Sequence, residues 1–184
     1  MNENNIRELA YTLGEEVNFP KKSILISPEI NSKYVYYILQ GTLKQFYRIQ
    51  RKNTTSSTKV KETIFRLIQE GDFCESATSL RGEGPSSDFV ETFTEIKAIR
   101  ISYLELQEKM KSDLSLANYV RQIIEDYYLE QEKRILSLLS LTPKERYNKI
   151  IESHSDWIGK FPDYAIASYL GITKETMSRF RAIS

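Results

Sequence analysis

Lys174, Glu175, Ser178 and Arg179 recur at a spacing that gathers four polar side chains on one arc of a helix. Their types are those that bond to nucleic acid. Arginine and lysine donate to guanine edges and to phosphate, glutamate accepts from the cytosine amino group, and serine reaches phosphate oxygens. Arg181 shares this arc and Thr176 borders the opposite one; with Thr173 at the helix start, the candidate DNA-contacting set is Thr173, Lys174, Glu175, Thr176, Ser178, Arg179 and Arg181. Arg179 and Glu175 are the expected base readers, with Lys174 and Ser178 beside them and Arg181 and Thr173 on the backbone. Met177, Phe180 and Ile183 fill the opposite arc. An ordinary solvated helical hairpin shares part of this pattern; the clustering of basic and short hydroxyl groups is what favours the nucleic-acid reading.

The chemistry needs a support that holds this helix against a second one. Gly171 divides residues 162–184 into two amphipathic segments, and Ile166, Leu170, Ile172, Met177 and Phe180 fall where two helices crossing at a tight turn bury apolar groups. Ala167 falls at the closest approach of the two backbones. Gly171 permits the bend, and Thr173 is placed to cap the second helix. Upstream, Thr142-Pro143-Lys144-Glu145 is a helix start: a capping threonine, a proline at the first helical position and a glutamate that reaches back. Its helix carries Tyr147, Ile150 and Ile151 and ends near Ser153. Residues 154–161 form a connector in which Trp157 is expected to pack beneath the last helices.

A longer helix precedes this region. Leu116, Val120, Ile124, Tyr127, Gln131, Ile135 and Leu138 recur every three or four residues over about 113–141, flanked by Ile123, Tyr128 and Leu139. Such length between two dissimilar regions predicts pairing with a second copy, through Val120, Ile124, Tyr127, Gln131, Ile135 and Leu138. Ser102 is a candidate cap for a short helix over 103–110.

Residues 1–15 show a short helical pattern with a stop at Gly14, and from Val17 to about Ile101 the signal changes to short strands. The runs 23–26, 34–40, 42–50, 63–69, 89–94 and 96–101 are rich in β-branched and aromatic residues and are broken at Gly41 and Gly71. They predict a jelly-roll or barrel-like β-domain. The polar tract 51–61 reads as a hairpin tip. The fold expected is therefore α+β, with three parts: a β-domain over 1–112, a dimerisation helix over 113–141 and a helix-turn-helix domain over 142–184.

Composition narrows the function. The 26 basic and 25 acidic residues leave a net charge of +1, which argues against whole-molecule polyanion binding but permits one basic face. No secretory or membrane-spanning apolar run appears, so a soluble cytoplasmic protein without membrane contact is expected. One cysteine, Cys74, cannot form an internal disulfide or a cysteine-only metal site, and its apolar neighbours suit a small buried side chain. The single histidine, His154, weakens a metalloenzyme reading; no metal, cofactor or catalytic residue is predicted.

The order β-domain, long helix, helix-turn-helix resembles the Crp/Fnr family of bacterial transcription regulators over nearly the whole chain. YYILQGTLKQFY (36–47) resembles the family's strand–glycine–strand signature, and EGDF (70–73) the segment leading into its effector pocket. LSLLSLTPKERY (136–147) resembles the hinge in the form common among Bacteroidetes members. Glu175, Ser178 and Arg179 match the family's Glu-x-x-Ser-Arg recognition pattern. The resemblance implies an N-terminal cyclic-nucleotide-binding-like β-roll (a double-stranded β-helix, or jelly roll). It further implies a homodimer on double-stranded DNA with a two-fold-symmetric site, no enzymatic activity, and RNA polymerase as a further partner.

The departures bear on the effector. Where cyclic-nucleotide-binding relatives carry a Gly-Glu pair for the ribose and an Arg-Ser pair for the phosphate, this chain holds Glu75-Ser76 and Ser86-Ser87. Glu75, Ser76, Ser86 and Ser87 are thus the candidate effector-pocket residues, and the phosphate-binding arginine is missing at its expected place. A carboxylate near a cyclic phosphate repels it, so cyclic AMP is not the expected effector, while another small-molecule effector stays open. Residues 154–161 are also short for the β-hairpin wing of many relatives. The alternative left open is a ligand-sensing module whose helical tail contacts a protein partner instead of DNA.

Overall fold

The computed structural model describes residues 3–30, 32–52 and 58–183. In chain order the elements are α1 (Glu3–Leu13), β1 (Gly14–Phe19), β2 (Ile24–Ile26), β3 (Tyr34–Gln40), β4 (Leu43–Lys52), β5 (Thr58–Ile68) and β6 (Phe73–Cys74). There follow α2 (Ala77–Leu80), β7 (Phe89–Thr92), β8 (Ile96–Ser102), α3 (Tyr103–Ser112) and α4 (Leu114–Ser140). The chain ends with α5 (Pro143–Ser153), α6 (Trp157–Lys160), α7 (Asp163–Leu170) and α8 (Lys174–Ile183). Two compact units divide it, Met1–Glu105 and Leu106–Ser184.

In the first unit two antiparallel four-stranded sheets, ordered β1-β8-β3-β6 and β2-β7-β4-β5, make a β-roll. Leu25, Ile26, Ile38, Leu43, Ile68, Val90 and Ile96 fill its core. β3 reads as a continuous apolar run, because Val35 through Leu39 are all buried; α1 packs on the same sheet and contributes the buried Ala10. Gly41, at φ +99°, turns β3 into β4 where an added Cβ would collide with the carbonyl of Glu95. Cys74 is fully buried, and burial pushes its thiol well above the ordinary cysteine range.

Two expectations are corrected here. Gly14 does not merely stop a helix; it opens β1, paired with Ile101 of β8, where its lack of a side chain admits the carbonyl of Arg100. The tract 51–61 is not all hairpin tip, since the β4–β5 ladder runs on through Arg51↔Lys59 and Lys52↔Thr58. A polar composition hid these strand ends, because they carry no run of alternating apolar residues. The rest of the expected tip, 53–57, lies outside the described residues.

In the second unit the 27-residue α4 starts at Asp113, whose carboxylate accepts from the Leu116 amide at 3.0 Å. The α5 start has the expected form. Thr142 Oγ1 accepts from Glu145 N at 3.4 Å, and the Thr142 amide donates to the Glu145 carboxylate at 2.8 Å. Thr142 Oγ1 also donates to the Glu145 carboxylate at 2.7 Å, and this hydroxyl first, then the Thr142 amide, holds the Glu145 carboxyl below its ordinary range. At the start of α3, Ser102 Oγ accepts from Glu105 N at 3.4 Å. Trp157 is buried as expected, edge-on to Phe161 and Tyr169 with centroids 5.6 and 5.2 Å away. The connector contains only the α6 turn and one bridge, between Ile158 and Phe161, in place of a hairpin.

Candidate nucleic-acid interface

α7 and α8 form the helix-turn-helix. Gly171 adopts the left-handed conformation (φ +68°, ψ 32°), and Ile172 N donates to Ala167 O at 3.0 Å, closing α7 with a Schellman-type turn. Ala165, Ile166, Ala167, Leu170 and Met177 are buried around the crossing. Tyr147 and Phe180 join α5 to α8, their rings 5.6 Å apart with Lys144 Nζ about 5 Å from each. Thr173 Oγ1 accepts from Thr176 N at 3.2 Å and so caps α8.

This packing decides which polar groups face outward. Lys174, Glu175, Ser178 and Arg179 are exposed on one face of α8, and Thr173 and Arg181 are exposed beside it. Arg179 Nη2 donates to Thr176 Oγ1 at 3.2 Å, which steadies the guanidinium on the helix surface. The Glu175 carboxyl is held below the ordinary range, first by the backbone amide of its own residue and then by the Thr173 hydroxyl. It therefore stands as an ionised acceptor.

Besides the capping Thr173, two of the seven candidates have local duties. Thr176 is half-buried and belongs to the cap, and Arg181 Nη1 reaches both carboxylate oxygens of Asp163, at 3.1 and 3.2 Å, clamping α8 to the start of α7. Asp163 had no distinguishing signal in the sequence, because its partner lies eighteen positions away and is set only by the helix crossing.

The same holds for two arginines that seat the helix pair. Arg134 of α4 donates to Tyr169 O at 3.0 Å and lies 4.6 Å from the Tyr169 ring centroid. Arg146 of α5 donates to Leu170 O at 2.9 Å and to Leu141 O at 2.7 Å. Together they satisfy carbonyls at the end of α7 and at the α4–α5 corner that a helix terminus leaves without partners.

Of the six residues expected to pair copies along α4, Ile124, Ile135 and Leu138 are exposed, while Val120, Tyr127 and Gln131 are half-buried. Two residues assigned to the flank are more open still, Tyr128 at 63% and Leu139 at 80%. At about 100° per residue, Ile124, Tyr128, Ile135 and Leu139 fall within one narrow stripe.

The four candidate effector residues are not brought together as a set. Ser76 and Ser86 are buried and bond to a residue the sequence reading missed, Asp88. The Asp88 carboxylate accepts from Ser86 Oγ at 2.7 Å, Ser76 Oγ at 3.0 Å and Gln45 Nε2 at 2.5 Å. Glu75 is half-buried with its carboxylate 3.6 Å from Arg66, and Ser87 is exposed. Among the described residues no cluster of three or more His, Cys, Asp or Glu side chains could hold a metal ion, and no helix is long and apolar enough to cross a membrane.

A β-roll, a long helix and a terminal helix-turn-helix define a fold class, and that fold resembles the Crp/Fnr family of transcription regulators. FixK2 from Bradyrhizobium japonicum matches with a TM-score of 0.73 at 19% identity, over 93% of this chain and 84% of its own. A CooA variant from Carboxydothermus hydrogenoformans matches with a TM-score of 0.70 at 14% identity, over 96% and 78%. CLP from Xanthomonas campestris, a c-di-GMP-responsive global regulator, matches with a TM-score of 0.65 at 15% identity, over 99% and 91%. No protein-family model and no curated protein matches the sequence.

Proposed function

We propose that this chain is a sequence-specific DNA-binding transcription regulator of the Crp/Fnr type that acts as a homodimer. The carrying observation is the outer face of α8, where Lys174, Glu175, Ser178 and Arg179 stand exposed on a helix capped by Thr173 and clamped through Arg181 to Asp163. A helix so presented suits the major groove, with Arg179 and Glu175 on base edges and Lys174, Ser178 and Thr173 on or near the backbone. Two copies related by a two-fold axis would read half-sites about 34 Å apart. The exposed stripe on α4 favours that helix as the pairing surface, and RNA polymerase is the further partner such a role implies.

The Asp88 network favours an effector other than cyclic AMP. A buried carboxylate ringed by hydroxyl and amide donors occupies the neighbourhood of Ser76 and Ser86, where a cyclic phosphate would meet negative charge.

Selection of bound duplexes from a random pool tests the function and yields the half-site. The expected outcome is an enriched inverted repeat. On that site Arg179→Ala should cost about 1–3 kcal/mol and relax the preference at one position. Equal weakening on specific and random duplex in a mobility-shift titration would remove Arg179 from the base-reading role.

A further inference from the structure

A cleft of about 310 Å³ opens within the Leu106–Ser184 unit, among α4, α5 and the end of α7. Four cations line it: Lys133 and Arg134 from α4, Arg146 and Lys149 from α5. Among the described residues two carboxylates line it as well, Asp126 and Glu130 from the middle of α4, Glu130 one turn before Lys133 and Arg134. Leu138, Ile150 and Tyr169 add an apolar wall. Burial pushes the Tyr169 phenol up to about 12, so it is a neutral group that can donate a hydrogen bond.

Part of this charge is engaged by the carbonyls of Leu141, Tyr169 and Leu170, but part is not. Arg134 Nε is buried with no hydrogen-bond partner. Among the described residues, neither Lys133 nor Lys149 enters an ion pair. The cleft therefore carries positive charge, on Lys133 and Lys149, that no carboxylate of the described residues pairs with.

Position keeps the cleft accessible. At about 100° per residue, Glu130, Lys133, Arg134 and Ser137 fall on the side of α4 away from Ile124, Tyr128 and Ile135. A second copy seated on that stripe would leave most of this side of α4 uncovered, with Leu138 shared between the cleft wall and the expected pairing set.

We propose that this cleft binds a small organic anion bearing at least two negative charges, as phosphate or carboxylate groups. Its charged end sits between the exposed Lys133 and Lys149, and its body lies against Tyr169. The bound anion ties α4 to α5, and through Arg134 and Arg146 to the end of α7, so it steadies the seat of the helix-turn-helix. That regulatory consequence rests on the DNA-binding function proposed above; the binding itself does not.

Trp157 is the single tryptophan, and its ring stacks on His154, which lines the cleft, with centroids 4.4 Å apart. Its fluorescence therefore reports on the site without a label. Titrating the full chain with inorganic pyrophosphate in the absence of DNA should give a saturable change, and sodium chloride at equal ionic strength should give none. The double variant Lys133→Ala/Lys149→Ala removes two exposed side chains and should weaken the response by about tenfold or more. Citrate in a parallel titration separates the sources: tighter pyrophosphate indicates a phosphorylated ligand, tighter citrate a polycarboxylate. A response matched by sodium chloride, or unchanged in the double variant, overturns the proposal. So does a double variant that weakens duplex binding while pyrophosphate gives no response, because these cations would then serve the DNA backbone. With no DNA in the titration, its failure leaves the DNA-binding reading standing, and failure of duplex binding leaves a positive titration standing.

Discussion

Gly171 shows how much of the helix-turn-helix depends on one backbone conformation. The residue sits at φ +68° between α7 and α8, and a Cβ placed there would meet Leu138 Cδ2 at 3.3 Å. Gly171→Ala therefore adds left-handed strain of about 1–2 kcal/mol to any crowding against α4. Chemical denaturation should show that loss, and duplex affinity should fall further than stability does, because the angle between the helices changes. A variant as stable as the parent would mean that the turn relaxes without cost. The glycine was legible because its role is local. Asp88 was not: its partners Gln45 and Ser76 come from other parts of the roll, and no spacing in the sequence relates them.

At the scale of elements, α4 illustrates the limit of periodicity. Its recurring apolar positions identify a helix, but several neighbouring stripes fit them almost equally well. Tyr127 and Tyr128 differ by about 100° of rotation, and packing decided between them: Tyr127 is half-buried and Tyr128 is exposed. Leu139 likewise moves from the flank to the open stripe. Arg121 and Glu125 at the stripe's edge pair with each other at 2.7 Å, which keeps that border polar but neutral. If α4 pairs two copies, Ile135→Glu places like charges opposite each other across the seam. Sedimentation should then show a monomer, with duplex affinity lost in parallel. A dimer that survives this substitution pairs through another surface. The start of α5 needed no such arbitration, since capping box and proline act within four consecutive residues.

For the molecule as a whole, a net charge of +1 supplies no diffuse field that would attract DNA. On the function proposed above, attraction would come from the local basic face of α8 in each of two copies. Duplex affinity should then fall with salt at a slope of about −0.9 per phosphate contacted, and a few contacts per copy should give a modest total slope. A flat salt response would favour a protein partner for the helical tail. The order of β-roll, long helix and helix-turn-helix, and the polar arc of α8, followed from the sequence alone. Each rests on periodicity, turn chemistry or capping among residues a few positions apart. Only the tertiary structure decided that Arg181 clamps α7 to α8 and that Ser76 and Ser86 surround a buried carboxylate. It also decided that Arg134 and Arg146 anchor the end of α7 beside an anion-sized cleft. Apart from Ser86, which lies beside Asp88 in sequence, those contacts join residues from 12 to 35 positions apart, and chain folding alone sets such distances. The polar arc of α8 thus has its chemistry written in the sequence, and its aim set by side chains elsewhere in the fold.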